Sequence, residues 1–191
     1  MRALFHLTKS LDPTRLVIGN DGWEHVVSDL TTVHDYSPDP AVLHERYADV
    51  AAVETTVTSL QPGYRVILLP GVVRTGEPVV LSEFGGLTLD TDGESETWPG
   101  YGVVTDAKAL LEGYRGLVEA LLASSALAGF CYTQLTDTLQ EKNGLLTEAR
   151  RPKISAAAVR EINNGTSAAV PADAAFAHER QQPFPAPGEP S

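Results

Sequence analysis

The most constraining feature is a short apolar run that ends abruptly in a carboxylate. Pro78-Val79-Val80-Leu81-Ser82 gives way to Glu83-Phe84-Gly85-Gly86. β-Branched and aliphatic residues in unbroken succession describe a strand buried on both faces, as in a parallel sheet. Such a strand ends where its polar residue can reach solvent or a ligand, so the spacing predicts a stop at Glu83. The two glycines after it allow a sharp turn and a close approach of a ligand to the backbone. A glutamate there is either a rigidly held catalytic carboxylate or a plain strand end facing water.

The rest of the chain repeats the pattern. Residues 16–19 form a short apolar run and, like residues 30–33, read as a strand, followed by Asn20-Asp21-Gly22 and His34-Asp35-Tyr36 respectively. Residues 128–132 read as another strand, followed by a polar loop with Gln134 and Asp137. Residues 66–69, bracketed by Pro and Gly, read as an extra strand or an ordered loop. Helical periodicity covers residues 2–11, 40–56, 105–124 and 154–163. Apolar strands alternating with helices imply a parallel sheet covered by helices. Polar residues then gather at the carboxyl ends of the strands, the edge where such folds bind ligands.

Several classes are excluded. A net charge of −11 over 191 residues argues against nucleic acid, which requires clustered Lys and Arg. No apolar run reaches the roughly 18 residues of a membrane span. Without a signal sequence the default location is the cytoplasm, although the amino terminus reads as a helix already in progress within a larger domain. The single cysteine, Cys131, forms no internal disulfide and is expected to be a small buried hydrophobe. The five histidines lack zinc spacing, and no cofactor or metal is expected. Gly71 and Gly76 have phosphate-loop spacing, but Glu77 stands where lysine is required. From about residue 165 the composition turns to Ala, Pro and polar residues, so 165–191 is expected to be a disordered tail after a domain at 1–164.

Val80-Leu81-Ser82-Glu83-Phe84-Gly85-Gly86 resembles the nucleophile motif of family 2 glycoside hydrolases, the group of β-galactosidases, β-glucuronidases and β-mannosidases. Three further segments are similar to that family in the same order. Residues 11–15 with Val17-Ile18-Gly19-Asn20-Asp21-Gly22-Trp23 resemble the fifth barrel strand region. Val33-His34-Asp35-Tyr36 resembles the sixth strand end, and residues 129–137 the eighth. The resemblance implies a partial (β/α)8 TIM barrel, approximately strands five to eight with their helices. It implies a retaining glycosidase with Glu83 as nucleophile and Tyr36 lying against it. It implies sugar contacts from Asn20, Asp21, His34, Gln134 and Asp137, with aromatic stacking from Trp98 and a second stacking candidate in Trp23. Tyr132, which stands where many relatives carry Trp, is likewise expected at the sugar, moving the stacking surface.

The family's acid/base is a Glu in an Asn-Glu pair on the fourth strand, and no such pair occurs in this sequence. The expected partners are therefore a carbohydrate and the missing amino-terminal half of the barrel, and the chain is expected to be inactive alone. The alternative is a half barrel that binds carbohydrate without cleaving it.

Overall fold

The structure, a computed structural model, describes residues 1–91, 102–139 and 141–170. Its elements are α1 (Arg2–Leu11), β1 (Thr31–Asp35), α2 (Pro40–Tyr47), α3 (Val50–Ser59), β2 (Val79–Gly85), β3 (Thr88–Leu89), β4 (Val103–Val104), α4 (Ala107–Leu122), β5 (Leu127–Thr133) and α5 (Ala156–Asn163). β1, β2 and β5 form a parallel three-stranded sheet in that order, with β2 central, and β3 pairs with β4 in parallel. Among the described residues no helix is long and apolar enough to cross a membrane.

Helix starts follow side-chain chemistry. Asp39, Asp49, Asp106 and Ser155 each accept a hydrogen bond from a first-turn amide, satisfying one of the donors a helix leaves unpaired. Asp49 also explains why the expected helix over 40–56 is two. Its backbone is extended, and its carboxylate caps α3 by accepting from the Ala52 amide at 2.9 Å.

The two faces of the sheet have different fates. Register pairs Thr31 with Val79, Val33 with Leu81, Asp35 with Phe84, Val79 with Leu127 and Leu81 with Phe130. These residues share the face that packs on the helices. Val33, Leu81 and Phe84 there join Leu110, Tyr114, Leu117, Val118 and Leu121 of α4 in one buried core. Phe84 meets Phe130 and Tyr132 edge to face, with ring centroids 5.6 and 5.5 Å apart. Thr32, His34, Val80, Ser82, Glu83 and Cys131 lie on the other face.

Two expectations about strands are corrected. β2 does not stop at Glu83 but runs through it to Gly85. Residues 16–19 do not join the sheet. Their polar backbone groups are met locally: the Val17 amide by the Asp29 carboxylate at 2.7 Å, its carbonyl by the Asp29 amide at 2.9 Å, and the Gly19 amide by Ser28 Oγ at 3.1 Å. Those contacts tie the segment to residues 28–29 rather than to β1. Residues 66–69 are the ordered-loop alternative, tied to His25 by its amide to the Ile67 carbonyl (2.8 Å) and the Leu69 amide to its carbonyl (3.1 Å).

Cys131 is exposed, contrary to expectation. Among the described residues it sits on an edge strand and on the face opposite the one that packs on α4, where an apolar run in sequence does not translate into burial. At the carboxyl end the chain continues against α4 as far as Ala168, whose amide donates to the Leu122 carbonyl at 2.8 Å. Of the expected tail, 171–191 lies outside the described residues.

Asp35 anchors β1 to α2. It is 1% exposed, and its carboxylate accepts from Arg46 Nη1 at 2.7 and 2.8 Å and from the Tyr47 hydroxyl at 3.0 Å. Removing it strands a buried hydroxyl and a guanidinium that still reaches water. Asp35→Ala is therefore expected to destabilise the fold by about 2–3 kcal/mol in urea denaturation.

Candidate active site

Glu83 owes its position to a β-bulge. Val33 pairs with Leu81, but His34 pairs with Glu83. On the other side Leu81 pairs with Phe130 and Phe84 with Tyr132. β2 thus carries one residue more than either neighbour between Leu81 and Phe84. Ser82 and Glu83 consequently both face away from the helices, while Phe84 returns to the core. A bulge that re-aims a side chain is a recurrent device beside active sites.

Four side chains from three segments converge there. The Tyr36 hydroxyl donates a short hydrogen bond to Glu83 Oε2. His34 Nδ1 lies 3.5 Å from the same oxygen, and His34 Nε2 lies 3.0 Å from Asp21 Oδ2. Ser82 Oγ donates to Asp21 Oδ1 at 2.8 Å, so the bulge fixes two adjacent residues to the site. The Trp23 ring packs edge-on against His34 at 4.6 Å, and Arg65 stacks over Trp23 at 5.1 Å. Gly22 makes this loop possible. It adopts φ +80°, and a Cβ there would meet the His34 ring at 2.3 Å.

Electrostatics set the ionisation of the two acids apart. Burial pushes the Glu83 carboxyl above the usual range; His34 opposes this, and the charges of Asp21 and Glu141 add to it. Burial acts the same way on Asp21, but hydrogen bonds from His34, Ser82 and Thr32 outweigh it and hold that acid below its ordinary value. Asp21, His34 and Glu83 also offer ligand atoms within 4.8 Å of one another.

The other sequence candidates fare differently. Asn20 lies at the site margin, but its Nδ2 donates to the Trp23 carbonyl at 2.7 Å and holds the loop. Gln134 Nε2 contacts Asn143 Oδ1 at 2.9 Å and Glu141 Oε2 at 3.3 Å. Asp137 is paired with Lys153 at 2.7 Å and accepts from the Gly144 amide at 2.8 Å, an internal loop clamp. Tyr132 points to the helix face, against Phe84 and Tyr114, and its hydroxyl accepts from the Leu87 amide at 3.2 Å. Trp98 lies outside the described residues. The Thr133–Gln134 peptide bond is cis.

Sequence reasoning missed Ser82 and Glu141 as contributors. A serine inside an apolar strand carries no signal unless the bulge is known. Glu141 is brought in only through its contact with Gln134.

No protein-family model matches this chain, and no curated protein matches it. Solved structures do. A GH2 β-galacturonidase from Eisenbergiella tayi bound to glycerol superposes with a TM-score of 0.54 at 13% identity, covering 85% of this chain and 29% of that one. The same enzyme's galacturonate complex gives 0.53 at 15%, covering 85% and 30%. A β-D-glucuronidase of Dictyoglomus thermophilum gives 0.51 at 19%, covering 87% and 29%. At these identities the similarity is one of fold alone: the chain's fold resembles part of these structures. The chain spans less than a third of the length of these structures.

Proposed function

We propose that this chain is the carboxyl-terminal half of the (β/α)8 barrel of a retaining family 2 glycoside hydrolase, approximately strands five to eight, with Glu83 as its nucleophile. The observation that carries the reading is the convergence of Tyr36 and His34 on one oxygen of a carboxylate projected from a bulge. A nucleophilic carboxylate must be ionised, rigid and open to substrate on one side. Tyr36 favours the ionised form by donating to it, and together with His34 it holds the carboxylate in place.

In this mechanism Glu83 attacks the anomeric carbon of a β-linked sugar and the aglycone oxygen leaves, forming a covalent glycosyl-enzyme. Water then releases the sugar. A second carboxyl group, about 5–5.5 Å from the first in retaining enzymes, protonates the leaving oxygen and later activates the water. No Asn-Glu pair exists in this sequence to supply it. On this reading it comes from a complementary amino-terminal half, and the isolated chain turns over slowly or not at all.

The missing acid makes the nucleophile testable by itself, because an activated leaving group departs without a proton. A dinitrophenyl 2-deoxy-2-fluoro-β-glycoside added to the full chain is expected to leave a glycosyl mass on the peptide containing Glu83. Adducts elsewhere, or none with either gluco or galacto reagents, contradict the assignment.

The same assay reports ionisation. Because burial holds the Glu83 carboxyl above the ordinary glutamate range, labelling is expected to fall on acidification at a pH higher than a free glutamate would give. Tyr36→Phe removes a donor to the charged form and should move that acidic limb up by about one pH unit.

A further inference from the structure

Resting on the glycosidase reading, the loop before β1 supplies a residue that acts on the nucleophile at one remove. We propose that Asp21 is a positioning residue. Its carboxylate accepts the Nε2 hydrogen of His34 and so presents Nδ1 of that ring to Glu83, where it takes up the proton that Glu83 releases on ionising.

The three groups form a row. His34 Nε2 lies 3.0 Å from Asp21 Oδ2, and His34 Nδ1 lies 3.5 Å from Glu83 Oε2. The ring is buried, with Trp23 edge-on at 4.6 Å and the Gly22 backbone pressed against it. The Gly22 amide donates to Thr32 Oγ1 at 2.8 Å, which ties this loop to β1. Burial works against the charge on Asp21, but hydrogen bonds from His34, Ser82 and Thr32 outweigh it. An ionised carboxylate only accepts, so the hydrogen of this contact belongs to Nε2. In the neutral ring Nδ1 then turns its lone pair to Glu83. When Glu83 ionises, its O–H bond breaks and an N–H bond forms at Nδ1. The ring now donates from each nitrogen to a carboxylate, a charge-assisted contact on both sides.

Asp21 is placed to hold the site rather than a sugar. Each of its oxygens has a protein partner, Ser82 Oγ at Oδ1 (2.8 Å) and His34 at Oδ2. Ser82 directly precedes Glu83 in the bulge, so one carboxylate ties down the residue beside the nucleophile and the ring against it. The other titratable groups acting on this row are Tyr36 and Glu141 at Glu83, and His25, which feels both Asp21 and His34. Asp21 influences Glu83 in two opposite ways. Its charge alone opposes ionisation of Glu83, whereas through His34 it favours it. The sign of the response to its removal therefore separates the two.

The test compares the full chain with Asp21→Asn, labelling both with the dinitrophenyl 2-deoxy-2-fluoro-β-glycosides across a pH range. An amide donates as well as accepts, so it no longer dictates the tautomer, and it carries no charge to hold a doubly protonated ring. Asp21→Asn should move the acidic limb of labelling up by about one pH unit, slowing labelling about tenfold at a pH on that limb. A limb that moves down shows the charge of Asp21 acting alone. An unmoved limb with a raised half-saturating reagent concentration shows a sugar contact. Either result overturns this inference and leaves the nucleophile assignment standing. Nitrogen NMR of the full chain carrying isotope-labelled histidine reads the ring without any sugar, with His34 assigned by its loss in His34→Gln. Nε2 of the wild type should carry a hydrogen, and Glu83→Gln should leave Nδ1 bare. A bare Nε2 in the wild type overturns the inference whatever the labelling shows. Failure of the wild type to label with any reagent overturns the glycosidase reading beneath it.

Discussion

Glu83→Gln is expected to cut covalent glycosylation by about 10⁴-fold or more, the scale on which deletion of a catalytic nucleophile acts. The amide keeps the shape of the side chain but cannot attack carbon. Folding should respond in the opposite direction. The Glu83 carboxyl is held above its ordinary ionisation range in the fold, so the folded chain binds the proton more tightly than the unfolded one. Stability from such a group is complete below the unfolded value and is lost as pH rises through the folded value. At neutral pH the wild type has lost it, whereas the glutamine never ionises. Glu83→Gln should therefore melt at a higher temperature than wild type near pH 7, and this advantage should shrink at acidic pH. Calorimetry at two pH values checks both signs. A lower melting temperature at pH 7 would mean that the charge of Glu83 is needed to hold Tyr36 and His34.

The second large effect lies one residue further along. Phe84 is 1% exposed and its ring is enclosed by Phe130 and Tyr132. Truncation removes buried apolar surface and leaves a cavity in the centre of the core. Phe84→Ala is expected to cost about 3–5 kcal/mol in urea denaturation. Adjacent substitutions thus behave as opposites: Glu83→Gln loses chemistry and gains stability, and Phe84→Ala loses stability. An equal loss from both would show that the two faces of β2 are not separate.

Much of this was legible from the sequence because helix caps and strand ends are local signals. Asp39, Asp106 and Ser155 mark helix starts by chemistry confined to one turn. Glu83, His34 and Tyr36 lie at or just beyond the ends of parallel strands, which brings them to one edge, whereas Asp21 comes from a loop outside the sheet and reaches them through its bonds to His34 and Ser82. What could not be read depends on register. Tyr132 was expected at the sugar, but a one-residue irregularity near Ala128, where Val79 pairs with Leu127 and Val80 with Gly129, fixes which face it takes. Gln134 and Asp137 have side chains suited to hydroxyls, yet their partners Asn143, Glu141 and Lys153 come from later in the chain. The break between α2 and α3 was hidden because Tyr47, Val50 and Val53 continue the apolar spacing across it. Only the capping carboxylate of Asp49 ends it.

The extra residue in β2 also governs how this gene segment tolerates small length changes. A strand has a parity: every odd shift exchanges inside for outside. Deleting Ser82 would restore simple alternation, with Leu81 inward, Glu83 outward and Phe84 inward, so the core would survive while Asp21 lost the hydrogen bond from Ser82 and kept that from His34. Adding a residue after Glu83 would instead send Phe84 into water. In-frame codon deletions and insertions at this point should therefore have unequal consequences, with loss of one codon giving a folded protein and gain of one giving none.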